Sequence, residues 1–185
     1  LISSDTGTGK TITLFLPLLI DQIEKKKSRI IYISPLRSII SDLFDNLNKI
    51  VSDLNIKIRV GKRTGDDSYI YKKKQIEKPE EILLTTPESL ALMITRKEVD
   101  QIFKNTTYLA IDELNEIINT KRGDQLALAI SQIINVNKKI GIFASSTNIQ
   151  NYKYLSNWVS FKKKTKIITN KSFKKIKVDI LSLKN

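Results

Sequence analysis

The sequence contains no cysteine and no histidine. Those two absences together remove disulfides, thiolate nucleophiles, Ser-His catalysis and the usual zinc sites, so any chemistry must run on carboxylates, lysine, hydroxyls and backbone amides. Long apolar runs are missing too. The stretch from Ile12 to Ile23 comes nearest, and Pro17 and Asp21 interrupt it well short of the roughly 20 residues that a membrane span requires. There is no basic start followed by a small-residue cleavage site, so the expected compartment is the cytoplasm, with no membrane partner. Negative charge is outweighed: 19 acidic residues face 32 basic ones, a net charge of +13. Such a surplus points to a polyanionic partner, most commonly nucleic acid, although lysines scattered over solvated helix faces would produce it as well.

What is present is enough for one globular unit: 185 residues, 41% of them apolar. The chain opens on Leu1, and its first apolar residues run straight into a glycine loop, so an upstream segment is expected. Apolar runs of strand length alternate with stretches of helical period, which predicts a repeating β-α pattern and a mostly parallel sheet between helices. A strand stub at Leu1 to Ser3 is followed by the loop and a helix from about Lys10 to Lys26. Strands are expected at Arg29 to Ser34, Ile56 to Val60, Glu81 to Thr86, Tyr108 to Asp112 and Lys139 to Ser145, with two more near Ile167 and Val178. Leu36, Ile39, Ile40, Leu43, Leu47, Ile50, Val51 and Leu54 recur at helical spacing and predict an amphipathic helix. Further helices are expected at Glu88 to Thr95, Leu126 to Ile134 and Tyr152 to Trp158, with Pro87 suited to a first helical turn. "GKRTGDDS" reads as a loop, and the clusters Lys72 to Lys74 and Lys162 to Lys164 as loops or helix ends.

The string "SSDTGTGKT", Ser3 to Thr11, places Gly7, Gly9, Lys10 and Thr11 between a strand stub and a helix. That is the setting of a phosphate-binding loop, with Ser4 where the general pattern has its first glycine. In such a loop backbone N–H groups and the helix N-terminus meet the phosphates, Lys10 neutralises them and the Thr11 hydroxyl reaches Mg²⁺. An ordinary strand-to-helix turn is the alternative. A phosphate loop needs a second acid for the metal, and "LAIDEL" supplies Asp112 at a strand end with Glu113 next to it. Asp112 would hold Mg²⁺, directly or through water, and Glu113 would act as general base on the attacking water. Alternatively, the two acids merely begin a helix.

Together these strings resemble motifs I and II of superfamily 2 helicases, whose motif I commonly begins with a small residue, as Ser4 is. "YISPLRSIISDLFDNL" is similar to motif Ia, "RTGDDS" to the Thr-Gly loop, "LLTTPESLALMI" to motif Ib and "FASST" to motif III. "FLPLL" and "DELNEIINTKRGDQLALAI" resemble the large helicase-related, Lhr-type branch. The resemblance implies a three-layer α/β/α P-loop NTPase domain of the RecA-like kind over residues 1–161. It implies ATP and Mg²⁺ as cofactors, bound through Thr6, Gly7, Thr8, Gly9, Lys10 and Thr11, with Asp112 and Glu113 as metal ligand and base. It also implies that Pro35 and Arg37, Thr64 and Gly65, and Thr86, Pro87 and Glu88 line a groove for the nucleic-acid backbone, DNA being expected before RNA. Lys121 and Arg122 are further basic candidates.

Two departures bear on the coupling of hydrolysis to strand movement. Asn115 stands where this branch has histidine, and Ser145, Ser146 and Thr147 stand where motif III reads Ser-Ala-Thr. Residues 162–185, with nine lysines against Asp179, are expected to be basic exit strands leading toward a second RecA-like domain. In the family that domain supplies an arginine finger worth on the order of 10³ to 10⁵ in rate, so weak hydrolysis is expected of this chain alone. A degenerate, non-catalytic module that binds nucleic acid or a partner is one rival reading. A P-loop ATPase acting on proteins or small molecules is another.

Overall fold

Strands covered on both faces should be continuous apolar runs, and the central strands here are. The computed structural model describes residues 1–3, 10–25, 29–147, 152–160 and 165–169. In chain order these form β1 (Ile2–Ser3), α1 (Lys10–Lys25), β2 (Ile30–Ile33), α2 (Arg37–Asp53), β3 (Val60–Arg63), α3 (Tyr69–Glu77), β4 (Ile82–Thr85), α4 (Pro87–Ile94), α5 (Val99–Phe103), β5 (Tyr108–Ile111), a 3-10 turn (Leu114–Glu116), α6 (Lys121–Val136), β6 (Gly141–Ser146), α7 (Tyr152–Ser160) and β7 (Ile168–Thr169). The strands build one seven-stranded sheet in the order β3-β4-β2-β5-β6-β1-β7. Every pairing is parallel.

Alternation along each strand divides the core in two. Ile31, Ile33, Leu83, Leu109 and Ile111 face α4, α5, α6 and α7, meeting Leu90, Phe103, Leu126, Ile130 and Leu155. Ile30, Tyr32, Ile82, Leu84 and Ala110 face α1 and α2, meeting Leu14, Phe15, Leu18, Ile40 and Leu47. The result is the expected three-layer α/β/α arrangement. Among the described residues no helix is long and apolar enough to cross a membrane.

Three expectations need correction. The third strand is Val60–Arg63, not Ile56 to Val60, because its register against β4 pairs Val60 with Ile82 and Arg63 with Thr85. The residues this strand buries are Gly61 and Arg63. Arg63 can be buried because its guanidinium donates to the Lys72 carbonyl at 3.0 Å and to Gln75 Oε1 at 3.3 Å. A Cβ at Gly61 would lie 2.5 Å from the Glu80 side chain, which would have to swing aside to admit it. "GKRTGDDS" is therefore strand through Arg63 and loop only afterwards. Lastly, Lys72 to Lys74 lie inside a helix, α3, whose first turn is capped by Ser68 Oγ accepting from the Tyr71 N–H at 3.3 Å. The expected strand near Val178 and the cluster Lys162 to Lys164 lie outside the described residues.

Candidate functional site

All seven strands run in one direction, so their carboxyl ends share a rim where loops can converge on a ligand. Thr6, Gly7, Thr8 and Gly9 lie outside the described residues, while Lys10 and Thr11 form the first turn of α1. β1 pairs Ile2 with Ser145 and Ser3 with Ser146, so the chain enters the glycine loop beside the end of β6. On the other side of β6, β5 pairs Ile111 with Ala144. A single strand thus separates the end of β1 from the strand that leads into Asp112.

Asp112 is 1% exposed, and its carboxylate is held from two sides. The Ser145 hydroxyl donates to Oδ1 and the Tyr32 hydroxyl donates to Oδ2. Oδ1 also accepts the Glu113 backbone N–H at 3.0 Å, and the Asp112 N–H extends the ladder to the Ile33 carbonyl at 2.8 Å. Glu113 adopts a left-handed backbone (φ 46°, ψ 52°), which is uncommon for a residue with a Cβ. Such strain persists only where surrounding contacts hold it, and it clusters at functional sites. Here the contacts come from Ser145 Oγ, which accepts the Glu113 N–H at 3.4 Å, and from Thr147 Oγ1, which donates to Glu113 Oε2 at 3.3 Å. Asn115 joins the same set. Its Oδ1 accepts from Ser146 Oγ at 2.8 Å and from the Thr147 N–H at 2.9 Å. The altered strings "DELN" and "SST" therefore still touch, amide to hydroxyl and amide to backbone.

The other half of the rim is built by β2, β4 and β3. Thr86 caps α4 by accepting the Ser89 N–H, and Pro87 takes the first helical position. Thr64 is 7% exposed and donates both its N–H and its hydroxyl to Asp67, at 2.5 and 3.0 Å. Arg37 grips Asp66 with contacts of 2.9 and 2.7 Å and lies over Gly65, where an added Cβ would be 3.1 Å from the guanidinium. Arg122 forks onto Glu88 and also donates to the Pro35 carbonyl at 2.9 Å. That one side chain ties the loop after β2 and the first turn of α4 to the start of α6. Gly123 lets α6 begin close against the preceding segment, since a Cβ there would lie 2.4 Å from the Ile117 carbonyl. Burial would raise the Glu88 pKa, but the hydrogen bonds from Arg122 and from its own backbone outweigh it and hold the carboxyl below the usual value. Burial lowers Arg63, and it lowers Arg29, at the start of β2, to about 10; Arg29 is satisfied by the Glu80 and Ile102 carbonyls.

The predicted residues accordingly fall into two groups along one rim. Asp112, Glu113, Asn115, Ser145, Ser146 and Thr147 meet directly, and so do Pro35, Glu88 and Arg122, with Arg37 on the Thr64 and Gly65 loop. Pro35, Thr86 and Pro87 are buried, whereas Arg37, Gly65 and Lys121 are exposed. Sequence reasoning missed Tyr32. The available signal was a hydroxyl inside an otherwise aliphatic strand, since a buried tyrosine must find a partner. An apolar cavity of about 640 Å³ between α1 and the start of β6, lined by Leu14, Pro17, Leu18, Ile142 and Phe143, holds none of these residues.

A family model described as DEAD/DEAH box helicase matches residues 1–155. The chain belongs to this helicase family. Among curated proteins it is 37% identical over 149 residues to the ATP-dependent helicase Lhr-Core of Saccharolobus solfataricus, covering 74% of this chain and 17% of that one. It is 34% identical over 155 residues to the Lhr helicase/uracil glycosylase of Escherichia coli, covering 72% and 10%. The helicase chain thus spans less than a fifth of the length of these relatives. Among solved structures, Mycobacterium smegmatis helicase Lhr bound to ssDNA and AMP-PNP superposes with a TM-score of 0.80 at 25% identity, covering 91% of this chain and 23% of that one. Mss116p bound to ssRNA and AMP-PNP superposes with a TM-score of 0.75 at 18% identity, covering 91% and 35%, a likeness of fold.

Magnesium, which the helicase family implies, fits the chemistry of the described donors. Asp112 is a carboxylate at the rim, oriented by the Tyr32 and Ser145 hydroxyls. No cluster of three or more acidic residues occurs among the described residues. Magnesium is commonly held through one or two carboxylates, with water and phosphate completing its shell.

Proposed function

We propose that this chain is the ATP-binding half of a nucleic-acid motor. In this reading Thr6 to Thr11 cradle the phosphates of ATP, Lys10 neutralises them, and Thr11 and Asp112 hold Mg²⁺. The metal would supply charge neutralisation on the phosphates. Glu113, fixed by its backbone and by Thr147, orients the attacking water and accepts its proton. Asn115 transmits the state of that site to β6 through Ser146 and Thr147. The other half of the rim takes a nucleic-acid backbone, DNA by preference, with Arg37, Gly65 and Lys121 as exposed donors that position the strand without reading its sequence. A second RecA-like domain of the longer protein would complete the groove and supply the arginine finger for unwinding.

The observation that carries this reading is the bonded set Tyr32, Asp112, Ser145, Glu113, Thr147, Asn115 and Ser146. Titration with a fluorescent ATP analogue and Mg²⁺ tests it. Lys10→Ala should abolish saturable binding, whereas Glu113→Gln should bind nucleotide yet fail to turn it over when the second domain is supplied. Identical titration curves for the parent chain and Lys10→Ala would refute the reading.

A further inference from the structure

The outer end of the rim carries a surface that none of the motifs accounts for. α3 begins directly after the Thr64 and Gly65 loop, at the carboxyl end of the edge strand β3. Its buried residues are Gln75 and Ile76. Positions i, i+3 and i+4 share a helix face, so Tyr69, Ile70, Lys73 and Lys74, all exposed, lie together on the side away from the core. Tyr69 is 70% exposed and Ile70 69%. The Ser68 cap forms that first turn, so the two side chains stand on regular helix and not on a frayed end.

Charge around the patch is mainly positive, with exposed Glu77 the one acid on α3, a turn beyond Lys73 and Lys74. The two acids of the preceding loop are already engaged, Asp66 with Arg37 at 2.7 Å and Asp67 with the Thr64 N–H and hydroxyl. Lys72 donates to the Gly65 carbonyl at 3.0 Å, which joins the helix to the loop, and Lys73 and Lys74 present their charge outward. Protein interfaces are depleted in lysine, whereas single-strand sites combine cationic side chains with exposed aromatic faces. A base pair inside a duplex is stacked on both faces and offers none to a side chain.

We propose that Tyr69 and Ile70 form a platform on which one unpaired base of a single nucleic-acid strand stacks, with Lys73 and Lys74 contacting the adjacent phosphates. The platform extends the strand track of the proposed function and rests on that reading. The test is fluorescence anisotropy of labelled oligo(dT) and of a blunt duplex, measured over a range of salt concentrations. Tyr69→Ala should weaken oligo(dT) binding by roughly five- to 150-fold, the range for losing one stacked base, with the salt slope and the melting temperature unchanged. Tyr69→Trp should restore binding. Lys73→Ala should instead flatten the slope by about 0.7, the value for one phosphate contact on a single strand. If the parent chain binds oligo(dT) in a salt-dependent way and Tyr69→Ala binds it equally tightly, the platform is wrong and the track stands. An equal loss on duplex also overturns the platform. If the parent chain does not bind oligo(dT) at low salt, the track itself is wrong, and the platform with it.

Discussion

Replacing Tyr32 with phenylalanine removes one oxygen atom from the interior and little else. The ring is fully buried and meets Phe15 edge-on, with centroids 6.0 Å apart at 83°, a contact that phenylalanine keeps. What disappears is the hydroxyl that donates to Asp112 Oδ2. Asp112 is 1% exposed, so no bulk water takes the vacated position freely. A hydrogen bond to a charged group contributes about 1.5–3 kcal/mol, and a domain of this size shifts by about 2–4 °C per kcal/mol. Tyr32→Phe should therefore lower the melting midpoint by about 3–12 °C. Urea unfolding at neutral pH should show the same loss at constant m-value, because the surface exposed on unfolding hardly changes. A double-mutant cycle isolates the pair. In an Asp112→Asn background the bond is no longer charge-assisted, so Tyr32→Phe should cost less by about 1 kcal/mol. A Tyr32→Phe midpoint equal to that of the parent chain, or costs that simply add, would refute the assignment of Tyr32 as the residue that orients this carboxylate.

The clasp between Glu88 and Arg122 gives a pH signature. Its carboxyl is held below the ordinary value of 4.5, so its stabilisation is complete above that value and is lost as the pH falls through the lower folded value. Because both side chains are more than a third exposed, Glu88→Gln should cost no more than about 1 kcal/mol at neutral pH. The difference from the parent chain should hold down to the ordinary value of 4.5 and close below it; unfolding curves that keep their separation in acid would count against the clasp. Asn115→Ala removes the acceptor of the Thr147 N–H and of the Ser146 hydroxyl. Amide exchange at Thr147 should quicken by about tenfold, or about 1.4 kcal/mol, while unchanged protection would show that the two altered motifs are not coupled through this amide.

The central strands were legible because burial on both faces leaves no choice but a continuous apolar run, as in "IIYI" and "ILLT". α2 was legible from its spacing. α3 was not, because "YIYKKKQIE" carries apolar side chains on both its sides and its two buried residues include a glutamine. β3 was misplaced for a related reason: the alternation of Ile56, Ile58 and Val60 looked like a strand, but pairing with β4 selected a register that buries an arginine and a glycine. Arg63 passes as a core residue only because α3 supplies a carbonyl and an amide to receive it.

The same division runs through the candidate site. The glycine loop and the acid pair at Asp112 and Glu113 could be read locally, because phosphate and metal chemistry demand particular residue types at fixed spacing along the chain. The resemblance to helicase motifs followed from those strings and their order. The partner of Tyr32 could not be read, since it lies 80 residues away and only the pairing of β2 with β5 brings the two together. Arg122, read as a basic candidate for a strand contact, also ties the loop after β2 to the first turn of α4, because α6 starts where Glu88 and the Pro35 carbonyl lie within reach. The sequence by itself determined the alternation of strands and helices, the phosphate-loop and acid motifs, and the basic surplus, since each depends on residue type and local spacing. Only the tertiary structure decided which polar groups satisfy one another across the rim and which face of α3 is left to solvent. Those outcomes depend on strand order and register, and no local spacing encodes them.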